Sequence, residues 1–216
     1  MSEKRYTVKE MYYTLQGEGG QAGRAAIFLR FTGCNLWTGR EVDRPKAICQ
    51  FCDTDFVGTD GENGGKYTAD ELSKKLESIW TIHNESVTRD AWVVCTGGEP
   101  ALQLDAPLIE AIHRAGFKIA IETNGTIELP DGLDWICVSP KAGAELLVTS
   151  GTELKLVYPQ IQFDPKSFTA LDFEYFFLQP MDGPDIEKNI VATVEYVKQH
   201  PTWRLSLQTH KLIGIP

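Results

Sequence analysis

Short apolar runs alternate with longer amphipathic stretches along the chain. Ala25–Phe31 (Ala-Ala-Ile-Phe-Leu-Arg-Phe) has the length and composition of a first buried strand. A helix is expected to start at Thr68, with Thr68 as N-cap, Glu71 completing a capping box, and Tyr67 and Leu72 forming a hydrophobic staple. Leu72, Leu76 and Ile79 make its apolar stripe. Ala91–Cys95 is a short apolar strand that runs into Thr-Gly-Gly-Glu-Pro (96–100). A second helix is expected over Ala106–Ala115, capped by Asp105 and closed by Gly116 in the left-handed region. Lys118–Glu122, Trp135–Ser139, Glu153–Val157 and Tyr175–Leu178 read as further strands. Ile186, Ile190, Val194 and Val197 mark a helix that Pro201 ends, and Trp203–Leu207 reads as a last strand.

Alternating strands and helices imply a parallel sheet with right-handed crossovers. Polar motifs fall just after strands, at Thr96–Pro100, Glu122–Gly125, Ser139–Lys141 and Gln179–Asp182, where α/β folds place their ligands. The expected architecture is an α/β fold, a partial (incomplete) TIM-type βα barrel with one active face, because 216 residues are few for eight complete βα units. The loop-rich stretches 33–45 and 58–66 do not separate two core-sized halves, so one domain over residues 1–216 is expected. A chain of this length needs no metal or disulfide to fold, so a metal site here points to chemistry.

The charge changes the range of partners. With 30 acidic and 21 basic residues and a net charge of −9, the chain lacks the basic face that a phosphate-backbone binder requires. No apolar run approaches a membrane span, and the first residues lack the apolar core of a signal peptide. No nucleic-acid or membrane partner is expected, and the location read from these features is cytoplasmic.

Three of the five cysteines cluster as Cys34, Cys49 and Cys52, a C-x14-C-x2-C spacing. Three thiolates are one short of a closed tetrahedral zinc site and leave one iron of a cubane without a protein ligand. The spacing alone leaves an iron–sulfur site, a zinc site with a His or Asp as fourth ligand, and unrelated core thiols all open. Cys95 and Cys137 lie inside apolar strands and read as buried core thiols.

With Thr-Leu-Gln-Gly-Glu-Gly (14–19), Phe-Leu-Arg-Phe-Thr-Gly-Cys-Asn-Leu (28–36), Cys-Gln-Phe-Cys-Asp-Thr (49–54) and Thr-Gly-Gly-Glu-Pro, the chain resembles the radical S-adenosylmethionine (SAM) superfamily. Ser-Pro-Lys (139–141), Gln-Pro-Met-Asp (179–182) and the terminal Gln-Thr-His-Lys (208–211) narrow the resemblance to the 7-carboxy-7-deazaguanine synthases, over essentially the whole chain. The first cysteine gap departs from the common three residues, as it does in some members of that family.

The resemblance implies a [4Fe–4S] cluster on Cys34, Cys49 and Cys52, with SAM on the open iron. It implies SAM contacts from Phe51, Asp53, Gly97, Gly98, Glu99, Ser139, Pro140, Lys141, Gln179, Pro180, Met181 and Asp182. The two glycines would admit the methionine part, and Asp53 would either bond SAM or stabilise the cluster loop. Thr54 matches a magnesium-binding hydroxyl. The implied substrate is 6-carboxy-5,6,7,8-tetrahydropterin, met by Leu15, Gln16, Gly17, Glu18, Arg30, Thr96, His210 and the terminal carboxylate of Pro216. No side chain is itself expected to be catalytic, because the radical chemistry belongs to SAM. The implied partners are an electron donor such as flavodoxin or ferredoxin, and a second copy of the chain in a homodimer. Two rivals stand beside this reading: another radical SAM enzyme (an activase or mutase), and a zinc-binding interaction module.

Overall fold

The computed structural model describes residues 3–216. Nine strands form one mixed sheet in the order β3-β1-β2-β4-β5-β6-β7-β8-β9. They are β1 (Tyr6–Leu15), β2 (Ala25–Phe31), β3 (Gly65–Tyr67), β4 (Trp92–Gly97), β5 (Lys118–Thr123), β6 (Trp135–Val138), β7 (Ser150–Tyr158), β8 (Asp172–Pro180) and β9 (Trp203–Leu205). From β2 to β9 every neighbour is parallel, whereas β1 runs antiparallel to both β2 and β3. Four α-helices complete the described part: α1 (Ala69–His83), α2 (Ala106–Arg114), α3 (Ile186–Gln199) and α4 (Thr209–Ile213). Among the described residues no helix is long and apolar enough to cross a membrane.

Local signals explain α1 and α2. The Thr68 side chain accepts from the Glu71 amide while Glu71 reaches back to the Thr68 amide, a reciprocal capping box. Leu72, Leu76, Ile79 and Trp80 then bury one stripe. Asp105 caps α2 through the Leu108 amide, and Gly116 takes a φ of +90°.

Four expectations need correction. The first strand is Tyr6–Leu15, not Ala25–Phe31. Lys9 and Glu10 interrupt its alternation, and the pairing shifts register between Val8 and Glu10, so no clean period of two is visible. The sheet is therefore not wholly parallel. The last strand stops at Leu205. In α3, Ile190 is exposed and Thr193 is the fully buried position; the helix is rotated so that Tyr196 and Val197, not Ile190, meet the second core.

The two faces of the sheet differ. One face (Leu29, Phe31, Val93, Cys95, Ile119, Ile121) packs on α1 and α2 as the main core. The other starts apolar, with Ala26, Trp92, Val94 and Ala120. Following the same parity toward the C-terminal strand ends gives Arg30, Thr96, Glu122, Cys137, Glu153 and Lys155. The register sets these side by side: Arg30 opposite Thr96, Glu122 opposite Cys137, Cys137 opposite Glu153. Cys137 thus sits between two carboxylates and not in an apolar layer, unlike Cys95.

Candidate active site

A cavity of about 400 Å³ opens over this polar band, within the range of small-molecule sites. The loop after β1 closes one side. Gln16 Nε2 donates to Glu122 (3.0 Å), the Gly19 amide to Ser206 (2.9 Å) and the Gly20 amide to Glu153 (2.7 Å). These bonds tie the end of β1 to strands on the far side of the sheet. The C-terminal segment crosses above: Thr209 bonds the Gly17 carbonyl through its amide and hydroxyl (3.0 and 2.9 Å), and Thr14 donates to the Pro216 carbonyl (2.9 Å). A Cβ on Gly17 would collide with the ring of His210.

Cys34, Cys49 and Cys52 are free thiols on the cavity wall. A hydrogen bond between Cys49 and Cys52 pulls Cys52 down to about 6 and pushes Cys49 up. Burial alone holds Cys95 up at about 12, which leaves it inert. Among the described residues, only Glu122, Cys137 and Glu153 bring three candidate ligand atoms within 4.8 Å of one another. Thiolates sharing one zinc ion stand about 3.8 Å apart, from bonds of about 2.3 Å in a tetrahedron. Cys34, Cys49 and Cys52 do not all lie within 4.8 Å of one another. The Glu122–Cys137–Glu153 trio is already compensated by the Lys155 ammonium and the Gly20 amide.

The Gly97–Gly98 pair packs against the segment that carries Cys34. Gly97 sits at φ +136°, where a side chain would strike the Phe31 backbone. A Cβ on Gly98 would strike the Gly33 carbonyl and lie 2.9 Å from Cys34 Cβ. The Glu99 amide donates to the Gly33 carbonyl (2.8 Å). Both glycines line the cavity, but what approaches them most closely is the chain carrying Cys34.

Charge on the floor is organised by Lys155. Its Nζ lies 2.7 Å from Glu18 and 2.8 Å from Glu122. Burial opposes the ammonium, but Cys137, Glu122, Glu18 and Glu153 outweigh it and raise its pKa well above normal. Burial likewise opposes the Glu18 carboxylate, and Lys155 with Gln208 brings its pKa below normal. Glu153 is pushed up by burial. Arg30 gives Nε to Glu10 (2.7 Å) and Nη2 to the Tyr12 hydroxyl (2.9 Å). Its Nη1 makes no hydrogen bond among the described residues. Lys141 Nζ is held by the Ser139 carbonyl and hydroxyl (2.6 and 2.7 Å), and burial lowers its pKa.

The cavity brings together nearly all the residues singled out from the sequence. The three cysteines, Phe51, Asp53, Thr54, Gly97, Gly98, Ser139, Lys141, Gln179, Leu15, Gln16, Gly17, Glu18, Arg30, Thr96, His210 and Pro216 all line it. Five stand outside the lining. Glu99 is fully buried, its carboxylate taken by Thr123, Asn124 and Ala101 (2.7, 2.8 and 3.0 Å). Pro140 and Pro180 are buried in the strand ends behind the wall. The Met181 amide is tied to Tyr158 (2.8 Å), and Asp182 pairs with Lys211 (2.6 Å). Asp53 pairs with the same lysine, also at 2.6 Å, so Lys211 on α4 joins the segment after Cys52 to the loop after β8.

Sequence reasoning missed Lys9, Glu10 and Tyr12 on the unrecognised β1, and Lys155; Glu122 and Asn124 stood out only as part of the Glu122–Gly125 motif, and Gln208 and Lys211 only within Gln-Thr-His-Lys, with no role of their own. The charges at 153 and 155, two apart in an otherwise apolar strand, were the available signal for Lys155.

No family model matches the chain. It is 63% identical over 212 residues to the 7-carboxy-7-deazaguanine synthase of Caulobacter vibrioides, covering 98% of this chain and 99% of that one. It is 58% identical to the 7-carboxy-7-deazaguanine synthase of Burkholderia multivorans, with the same coverage. Among solved structures, that of QueE from Escherichia coli superposes with a TM-score of 0.67 at 25% identity, covering 94% of this chain and 93% of that one.

Proposed function

The chain belongs to the 7-carboxy-7-deazaguanine synthase family, and on that premise we propose that its cavity converts 6-carboxy-5,6,7,8-tetrahydropterin to 7-carboxy-7-deazaguanine with loss of ammonia. It is a lyase of 7-deazapurine and queuosine biosynthesis and uses a [4Fe–4S] cluster, SAM and Mg²⁺. The observation that carries the residue assignment is that the three free cysteines, Glu18, Arg30 and Pro216 line one cavity.

Cys34, Cys49 and Cys52 would hold three irons of the cluster, and the Thr54 hydroxyl would hold Mg²⁺, which prefers oxygen ligands. When bound, cluster and SAM supply radical hydrogen-transfer chemistry, and Mg²⁺ supplies a Lewis acid for the substrate carboxylate. Lys141 offers the SAM carboxylate a cation already oriented by Ser139. Gly97, Gly98, Phe51, Gln179 and the Pro180–Asp182 turn complete the SAM side.

Glu18 is kept ionised by Lys155 and accepts from adjacent N–H groups of the pterin pyrimidine edge, with Gln16 beside it. Arg30, its plane fixed by Glu10 and Tyr12, turns its free Nη1 to the substrate carboxylate. His210, Thr96 and Pro216 complete the wall of the substrate pocket. The bond from the Gly20 amide, in the loop after β1, to Glu153 on β7 supports an incomplete βα barrel in a single domain. An electron donor such as flavodoxin or ferredoxin, a homodimeric state and a cytoplasmic setting belong to the same reading. Anaerobic calorimetric titration of the cluster-loaded protein with 6-carboxytetrahydropterin tests it. A charge-assisted bond is worth about 1.5–3 kcal/mol, so Arg30→Lys should weaken binding roughly tenfold to a hundredfold. Unchanged affinity would remove Arg30 from the substrate site.

A further inference from the structure

We propose that Arg44 is a positioning residue for the iron–sulfur cluster, and that the long excursion between the first two ligating cysteines serves to deliver it. The inference rests on the assignment of Cys34, Cys49 and Cys52 as cluster ligands.

The fourteen-residue gap is short in space. The Leu36 carbonyl accepts from both the Ile48 amide (3.1 Å) and the Cys49 amide (3.5 Å). The chain two residues past Cys34 therefore meets the chain just before Cys49, and residues 37–47 are looped out from that closure. The excursion is anchored at its base. Trp37 is buried edge-on against Phe56, with ring centroids 5.6 Å apart and an interplanar angle of 88°. Its Nε1 donates to the Arg40 carbonyl (3.2 Å).

A 3-10 helix at Glu41–Lys46 then carries Arg44 back over Trp37, with the guanidinium carbon 4.0 Å from the ring centroid. Nε and Nη2 bind both oxygens of Glu41, at 2.7 and 2.6 Å. Nη1 donates to the carbonyls of Gln50 (2.9 Å) and Cys52 (3.0 Å). One half of the fork fixes its plane, and the other grips the turn between Cys49 and Cys52. A residue that only closed its own loop would have no need of carbonyls beyond Cys49. Lysine, a point charge without a planar fork, cannot make both sets of bonds. The grip presets the two thiolates, and a permanent cation hydrogen-bonded to the Cys52 peptide favours the more negative, reduced cluster.

The test uses cluster-loaded protein, reconstituted anaerobically, as parent, Arg44→Ala, Arg44→Lys and Glu41→Gln. The readouts are iron and sulfide per chain, the rate of cluster loss to a chelator, and the midpoint potential from a titration followed by electron paramagnetic resonance. Thermal unfolding of the cluster-free chains controls for folding. Arg44→Ala should lose its cluster several-fold faster, with a more negative midpoint. Arg44→Lys should keep a midpoint near the parent's but still lose its cluster several-fold faster, and Glu41→Gln should fall between parent and Arg44→Ala in loss rate. Cluster-free unfolding should be unchanged throughout. Parent-like retention and potential in Arg44→Ala, full restoration by Arg44→Lys, or a matching fall in cluster-free unfolding temperature would each overturn the proposal. A parent protein that takes up no iron–sulfur cluster would instead overturn the ligand assignment beneath it.

Discussion

Lys155→Met removes the cation that bridges Glu18 and Glu122 while keeping a side chain of similar length. Lys155 is 5% exposed and bridges Glu18 and Glu122 at 2.7 and 2.8 Å, with both carboxylates under 20% exposed. Removing one partner of a buried ion pair costs about 3–5 kcal/mol, because the remaining charges lose their compensation. In a domain of this size each kcal/mol moves the unfolding midpoint by about 2–4 °C, so a fall of about 6–20 °C is expected. The pH dependence carries the sharper test. In the parent the Glu18 pKa is lowered, so its contribution is present above the unfolded carboxylate value of about 4.3 and lost as pH falls through the folded value. Without Lys155, burial dominates and raises the pKa. A raised carboxylate stabilises at low pH and loses that contribution as pH rises. The gap between parent and variant should therefore be widest at neutral pH and narrow toward about pH 5. Calorimetric unfolding of the cluster-free proteins at both pH values reads it. Adding Glu18→Gln to Lys155→Met should recover part of the loss. A variant that unfolds with the parent at neutral pH, or a gap that widens on acidification, would refute the reasoning.

Gly98→Ala should reduce cluster uptake on reconstitution, because the added methyl displaces the Gly33 carbonyl beside Cys34; overpacking of this kind costs about 1–3 kcal/mol, and parent-like iron content would count against the contact. Thr68→Ala should lower stability by about 1 kcal/mol through loss of the α1 capping box, and calorimetry with pterin titration should show the stability change without an affinity change.

Most of this fold and site was readable from local signals, and the failures share a cause. The caps and stripes of α1 and α2 are set within a few residues, so they can be read directly. The stripe of α3 is equally regular, but which of its positions meets the sheet depends on packing against β8 and β9, which no local pattern encodes. β1 was hidden by the register shift at Lys9 and Glu10. Cys95 and Cys137 look alike in sequence; only strand parity separates the helix-covered face from the cavity face. The motif residues Gln16, Glu18, Arg30 and Ser139 were legible as motifs, whereas their partners Glu122 and Lys155 meet them through inter-strand register. Glu99 is the converse case: its motif was legible, but not that its carboxylate braces the β4 and β5 loops against each other.

The most direct test of the account is product mass analysis. The chain would be reconstituted anaerobically with iron and sulfide, then incubated with reductant, Mg²⁺, 6-carboxy-5,6,7,8-tetrahydropterin and SAM at less than one equivalent per substrate. The account predicts 7-carboxy-7-deazaguanine in excess over SAM, with ammonia released, and none from Cys34→Ser. A parent protein that holds its cluster yet yields only 5′-deoxyadenosine and unchanged pterin would contradict it.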